Sequence, residues 1–147
     1  MGMEENLPDF LDVTKDLMKK FHIINREQRY CHKVTLSQGY AINILAERGK
    51  MTMTELSRDL GVAPSTMTRI VDVLVREKII QRSESCDDRR QVCVELTDRG
   101  KALQSNLEQS STEYLTLFLN ALPGEKTGAV ISALQLLNKA IGDVCPG

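Results

Sequence analysis

A mostly helical fold of the α+β class, carrying one small β-ribbon, is predicted from three observations. Apolar residues recur at helical spacing over most of the 147-residue chain. Gly61 and Pro64 break that pattern once near the middle, as a turn between two short helices would. Just beyond, two β-prone runs, 79–82 and 91–96, flank a stretch that is polar apart from Cys86.

Each element has its own justification. From residue 8 to about 30, Phe10, Leu11, Val13, Leu17, Met18, Phe21, Ile23 and Ile24 keep close to helical period. Ser37 is expected to N-cap a second helix, with Tyr40, Ala41, Ile44 and Leu45 on one face and Gly49 ending it. Thr52 or Thr54 caps a third, whose apolar face is Leu56 and Leu60. Gly61 closes it after barely two turns, and Pro64, favourable at a first helical position, opens a fourth that runs to about Lys78. There Met67, Ile70, Val71, Leu74 and Val75 face inward, opposite Ser65, Thr66, Arg69, Val73 and Arg76. In the ribbon, Val92, Val94 and Leu96 alternate with Cys93 and Glu95, which places Cys93 away from the apolar side. Thr97 and Asp98 cap a long helix to about Asn120, and Pro123 starts a final helix with Val130, Ile131, Leu134, Leu137 and Ile141 inward. Helix, turn, helix and ribbon in that order predict a winged helix-turn-helix with long N- and C-terminal helices.

Composition narrows the class. A charged fraction of 27% and an apolar fraction of 41% describe an ordinary soluble domain. No apolar run approaches the roughly 20 residues that span a bilayer, and the acidic N-terminus has no secretory core, so a cytoplasmic location and no membrane are expected. Cys31, Cys86, Cys93 and Cys145 form no CxxC pair and are expected to be reduced thiols. The net charge of -1 and pI near 6.1 give nucleic-acid binding no support in bulk. Between Arg48 and Lys101, however, eleven basic residues stand against nine acidic ones. Two histidines, scattered cysteines and no phosphate loop leave no nucleophile–base pair, so no enzyme and no cofactor is expected.

The terminal helices are more apolar than a small winged helix needs for its own core. Packing against a second copy solves this, and a symmetric dimer places two recognition helices one duplex turn apart, matching a palindrome.

Several motifs in order carry a family resemblance: Leu36-Ser37-Gln38, Glu55-Leu56-Ser57, Ser65-Thr66-Met67-Thr68-Arg69 before Val71-Asp72-Val73-Leu74, and Asp88-Arg89-Arg90 before Val94-Glu95-Leu96-Thr97 and Gly100. Over residues 8–142 the chain resembles the MarR family of transcriptional regulators. The resemblance implies one domain, with the helix-turn-helix at 53–76, the wing at 79–96 and dimerisation helices at 8–35 and 99–142. It implies a homodimeric, ligand-responsive repressor or activator on a palindromic double-stranded operator. Pro64, Ser65, Thr66, Thr68, Arg69 and Arg76 would meet the major groove and its phosphates. Arg89 and Arg90 would enter the minor groove at the wing tip, with Asp88 holding a wing arginine. Those roles agree with the chemistry. Hydroxyls at a helix start suit phosphate oxygens, and an arginine gains from the potential of a narrow minor groove. Taken singly, Pro64-Ser65 is an ordinary helix start, and residues 87–90 read as a solvated turn with weak ion pairs.

The trigger is less defined by the residues. Tyr30, Cys31, His32 and Tyr40 are the candidate effector or sensor residues, and core or interface packing is the plain alternative for each. Metal ligation has too few well-spaced ligands, since His22 and Glu27 do not share a helix face, so no metal is assigned. A redox- or metal-responsive regulator of the same fold is the alternative, then a helical protein-interaction module without DNA binding.

Overall fold

The computed structural model describes residues 6–83 and 91–145, with the side chains of 28–31 outside the description. It divides into two compact units, residues 1–36 and 37–147.

The first unit is dominated by helix α1 (Leu7–His32). Its surface is stitched by Lys20 and Asp16, 2.5 Å apart one turn along. Phe10, Leu11, Val13, Leu17, Met18 and Phe21 remain exposed on the single chain.

The second unit holds α2 (Leu36–Arg48) from its second residue on, then β1 (Met51–Thr52), α3 (Met53–Leu60) and α4 (Pro64–Arg76). It continues with β2 (Ile80–Ser83), β3 (Cys93–Leu96), α5 (Asp98–Ala121), a 3-10 turn at Gly124–Lys126 and α6 (Thr127–Val144). The strands make one antiparallel sheet in the order β1-β3-β2. This is the winged helix-turn-helix that the sequence predicts. Its core is Ala41, Ile42 and Leu45 of α2, Leu56 of α3, Met67, Val71 and Leu74 of α4, and Ile80 and Val94 of the sheet. Each fully buried large side chain contributes about 1.5–3 kcal/mol, so these few residues set the relative placement of α2, α3, α4 and the ribbon.

Some expectations are corrected. α2 starts at Leu36, so Ser37 lies in its first turn and does not cap it. Its inward face is Ala41, Ile42 and Leu45; Tyr40 is exposed and Ile44 half-buried. The sheet has a third strand, β1, too short to show any alternation in sequence. α4 stops at Arg76, two residues early, because Lys78 takes φ 58°, a left-handed conformation that ends a helix. Pro123 precedes a 3-10 turn, and α6 itself begins at Thr127.

α3 is closed at both ends by local chemistry. The Thr52 hydroxyl accepts from the Glu55 backbone N–H at 3.2 Å, while the Thr52 backbone N–H donates to the Glu55 carboxylate at 2.8 Å. This reciprocal capping box resolves the choice between Thr52 and Thr54. At the other end Gly61, at φ 67°, sends its N–H to the Arg58 carbonyl, and Val62 sends its own to Ser57. The Thr52 backbone N–H, then its hydroxyl, hold the Glu55 carboxyl below its ordinary value of 4.5. A depressed carboxylate stabilises the fold above its unfolded pKa, and that contribution disappears as pH falls through the folded value. Glu55→Gln is therefore expected to lower the thermal midpoint at neutral pH, with the gap to wild type closing as pH drops below 4.5. A pH-independent gap in calorimetric scans would assign Glu55 a purely steric role.

Candidate nucleic-acid interface

The start of α4 differs from those of α3 and α5. Thr52 caps α3 and Thr97 caps α5 through side-chain oxygens, whereas Ala63 before α4 provides no side-chain cap. Pro64 has no N–H to satisfy, and Pro64, Ser65 and Thr66 are all exposed. Amide donors and two hydroxyls thus face solvent where the helix macrodipole is positive.

Along the same surface the helix presents Ser65, Thr68, Arg69, Asp72 and Arg76, all exposed, while Met67, Val71 and Leu74 fill the core on the other side. At 1.5 Å per residue, Ser65 to Arg76 covers about 16 Å. Arg69 makes no ion pair and no side-chain hydrogen bond among the described residues, which leaves its planar fork of donors open. Arg76 lies 3.9 Å from Glu77, with three-quarters of its side chain exposed. Thr68 already uses its hydroxyl proton inside the helix. Its hydroxyl donates to the Pro64 carbonyl at 3.0 Å, so it offers partners its lone pairs and its methyl group.

α4 is held by the turn before it and the ribbon behind it. Arg48 of α2 hydrogen-bonds Asp59 of α3, tying the first helix of the motif to the helix that precedes it. Arg82 of β2 bonds Asp72 in the middle of the exposed α4 face. Sequence reading passed over this second pair. The available signal was the position of Asp72, three residues after Arg69 and four before Arg76, on the stripe already marked for contact.

The base of the ribbon is fixed at Thr97. Its hydroxyl donates to the Lys78 carbonyl at 2.6 Å and accepts from the Gly100 N–H at 3.0 Å. Its own N–H donates to the Ile79 carbonyl at 3.0 Å. On β3, which is central and pairs Cys93 with Thr52 on one side and Ser83 on the other, Cys93 is 4% exposed and not at the surface as expected. Val92, expected inward, is exposed. Cys93 is also disulfide-bonded, which overturns the expectation of a reduced thiol there; Cys145 is a free, exposed thiol.

The wing-tip positions Cys86, Asp88, Arg89 and Arg90 lie outside the described residues, as do the side chains of Tyr30 and Cys31. His32 is half-buried at the end of α1 and Tyr40 is exposed on α2. Among the described residues no three His, Cys, Asp or Glu side chains converge as a metal site, and no helix is long and apolar enough to cross a membrane.

Comparison with known proteins agrees with this geometry. The MarR family profile matches residues 34–92. An HTH-type transcriptional regulator of Mycobacterium leprae is 30% identical over 110 residues, covering 75% of this chain and 77% of its own. The HTH-type transcriptional repressor NicR of Pseudomonas putida is 29% identical over 116 residues, 78% of this chain and 72% of its own. Among solved structures, Streptococcus pneumoniae FabT in complex with DNA has the same fold, with a TM-score of 0.81 at 18% identity over 92% of this chain and 99% of that one.

Proposed function

The chain belongs to the MarR family of transcriptional regulators, and we propose that it acts as a homodimeric, sequence-specific reader of a palindromic DNA operator. The observation that carries this reading is the exposed face of α4. An uncapped helix start with two hydroxyls leads into the open guanidinium of Arg69, on a helix whose other side is locked into the core. Backbone donors and hydroxyls there would position the protein on phosphates, and Arg69 would read a base edge. The wing, residues 79–96, would follow the adjacent minor groove through Arg89 and Arg90, with Asp88 in support.

Dimerisation is supported by apolar surface. α6 buries none of its residues in the single chain, and Leu134, Leu136 and Ile141 are exposed, as are Leu115, Leu117 and Phe118 of α5. Exposed large apolar side chains in this number favour burial against a partner, and residues 8–35 and 99–142 are assigned to a two-fold interface with a second copy. NicR is described as a repressor, which favours repression as the output. Release of the operator is assigned to a small effector, with Tyr30, Cys31, His32 and Tyr40 as the candidate sensor residues. Acting on chromosomal duplex assigns the protein to the cytoplasm. An oxidation-responsive form of the same regulator is the second reading, favoured by the disulfide at Cys93 on the strand that carries the wing.

Sedimentation and duplex titration test the proposal together. The protein alone is expected to sediment at twice its 16.5 kDa mass. Its affinity for a duplex selected from genomic fragments should fall roughly 10³-fold between about 50 and 200 mM salt if several phosphates are contacted. Repeating the titration in reducing agent reads the oxidation arm. A monomer that enriches no duplex would be the interaction module instead.

A further inference from the structure

We propose that Asp72 and Arg82 form a positioning pair that fixes the angle between α4 and the β-ribbon, so that helix and wing reach their grooves in one register. The proposal rests on the DNA-binding reading above.

Asp72 is otherwise hard to account for. It sits between Arg69 and Arg76 on the surface assigned to DNA, where an uncompensated carboxylate repels phosphates. Its partner is not a neighbour on the helix but Arg82 of β2, bonded through a charge-assisted N–H···O contact. Arg82 is the penultimate residue of β2, opposite the fully buried Val94. Two residues earlier, on the same side of the strand, Ile80 is 1% exposed in the helical core. The ribbon is therefore attached on this side at two points. Ile80 anchors its base by packing, and Arg82 anchors it to α4 one residue before the strand ends. A single attachment would leave a pivot, whereas two define a direction.

Energetics argue that stability is not the purpose of the pair. Both side chains are about half exposed, and such pairs contribute at most about 1 kcal/mol to folding. Its value lies in pre-organisation, because a wing held at the bound angle need not be ordered when DNA arrives.

The test compares a duplex selected by the wild-type protein from a random library with a shuffled duplex of equal length and composition. Asp72→Asn removes one negative charge, so binding to the shuffled duplex should hold or tighten. Affinity for the selected duplex should fall about tenfold, with the thermal midpoint unchanged within about 2 °C. Arg82→Gln should also lower the selected-to-shuffled ratio about tenfold. The exchanged pair, Asp72→Arg with Arg82→Asp, should bring the ratio back to within about threefold of wild type, as a double-mutant cycle on coupled residues requires. The pair is overturned if Asp72→Asn shifts both duplexes equally, or if the exchange leaves the ratio at the level of the single variants. A wild-type protein that enriches no duplex would instead remove the DNA-binding reading itself.

Discussion

Gly100→Ala is expected to destabilise the fold by about 3 kcal/mol, against the sign that helix propensity alone would give. Gly100 is the third residue of α5, where alanine normally adds up to about 1 kcal/mol of stability. Here a Cβ would lie 2.1 Å from the Ile79 carbonyl oxygen and 3.2 Å from a Leu96 methyl carbon. The oxygen cannot give way cheaply, because it is backbone and accepts from the Thr97 N–H. Relief would require α5 to lift from the base of the ribbon, at the expense of the Thr97 cap and its bond to Lys78. Urea denaturation checks the sign and the size. A Gly100→Ala protein as stable as wild type would mean that α5 and the ribbon base can separate freely. Thr97→Ala should cost less, about 1 kcal/mol, since it removes a cap without a clash.

Much of this architecture was legible because the local signals are punctuation. Gly61 needs its left-handed turn and Pro64 its helix start, so the boundary between α3 and α4 was readable to within a residue. Most of the inward face of α4 was equally clear, since Met67, Val71 and Leu74 stand at strict helical spacing, whereas Ile70 and Val75, expected inward with them, are half-buried. α2 was misread because its apolar residues at 41, 42, 44 and 45 allow two overlapping stripes. Only the tertiary core selects Ile42 over Tyr40. Cys93 was misread for a related reason. Alternation assumes a strand with one face open to water, and at this position both faces are covered, since Cys93 and the oppositely directed Val94 are both buried. The Asp72–Arg82 contact joins residues ten apart on different elements, so helical periodicity marks Asp72 but not its partner. At the candidate site, the exposed α4 residues were where the motif put them, but the hydrogen-bonding direction of Thr68 required coordinates.

Replacing Ser65 and Arg69 together by alanine is expected to weaken binding to the selected duplex about 100-fold while lowering binding to unrelated duplex only a few-fold. Both side chains are exposed and neither contributes to the core, so the fold has no reason to change. Alanine is also the better helix former at both positions. What is lost is chemistry at the contact face. A guanidinium bidentate to a base edge provides about 1–3 kcal/mol of discrimination, and the hydroxyl at the helix start adds a contact that orients it. Unrelated duplex is held mainly by charge, of which the double variant removes a single unit, so its salt dependence should drop by about one phosphate equivalent. Titrating both duplexes at several salt concentrations separates the two contributions. Equal losses on both duplexes would show that α4 touches phosphates alone. The reading of sequence would then have to come from the wing or from the shape of the duplex. The weak overall charge makes the unequal outcome the expected one: a protein with a net charge of -1 cannot draw its affinity from bulk attraction, and must rest it on a few placed groups.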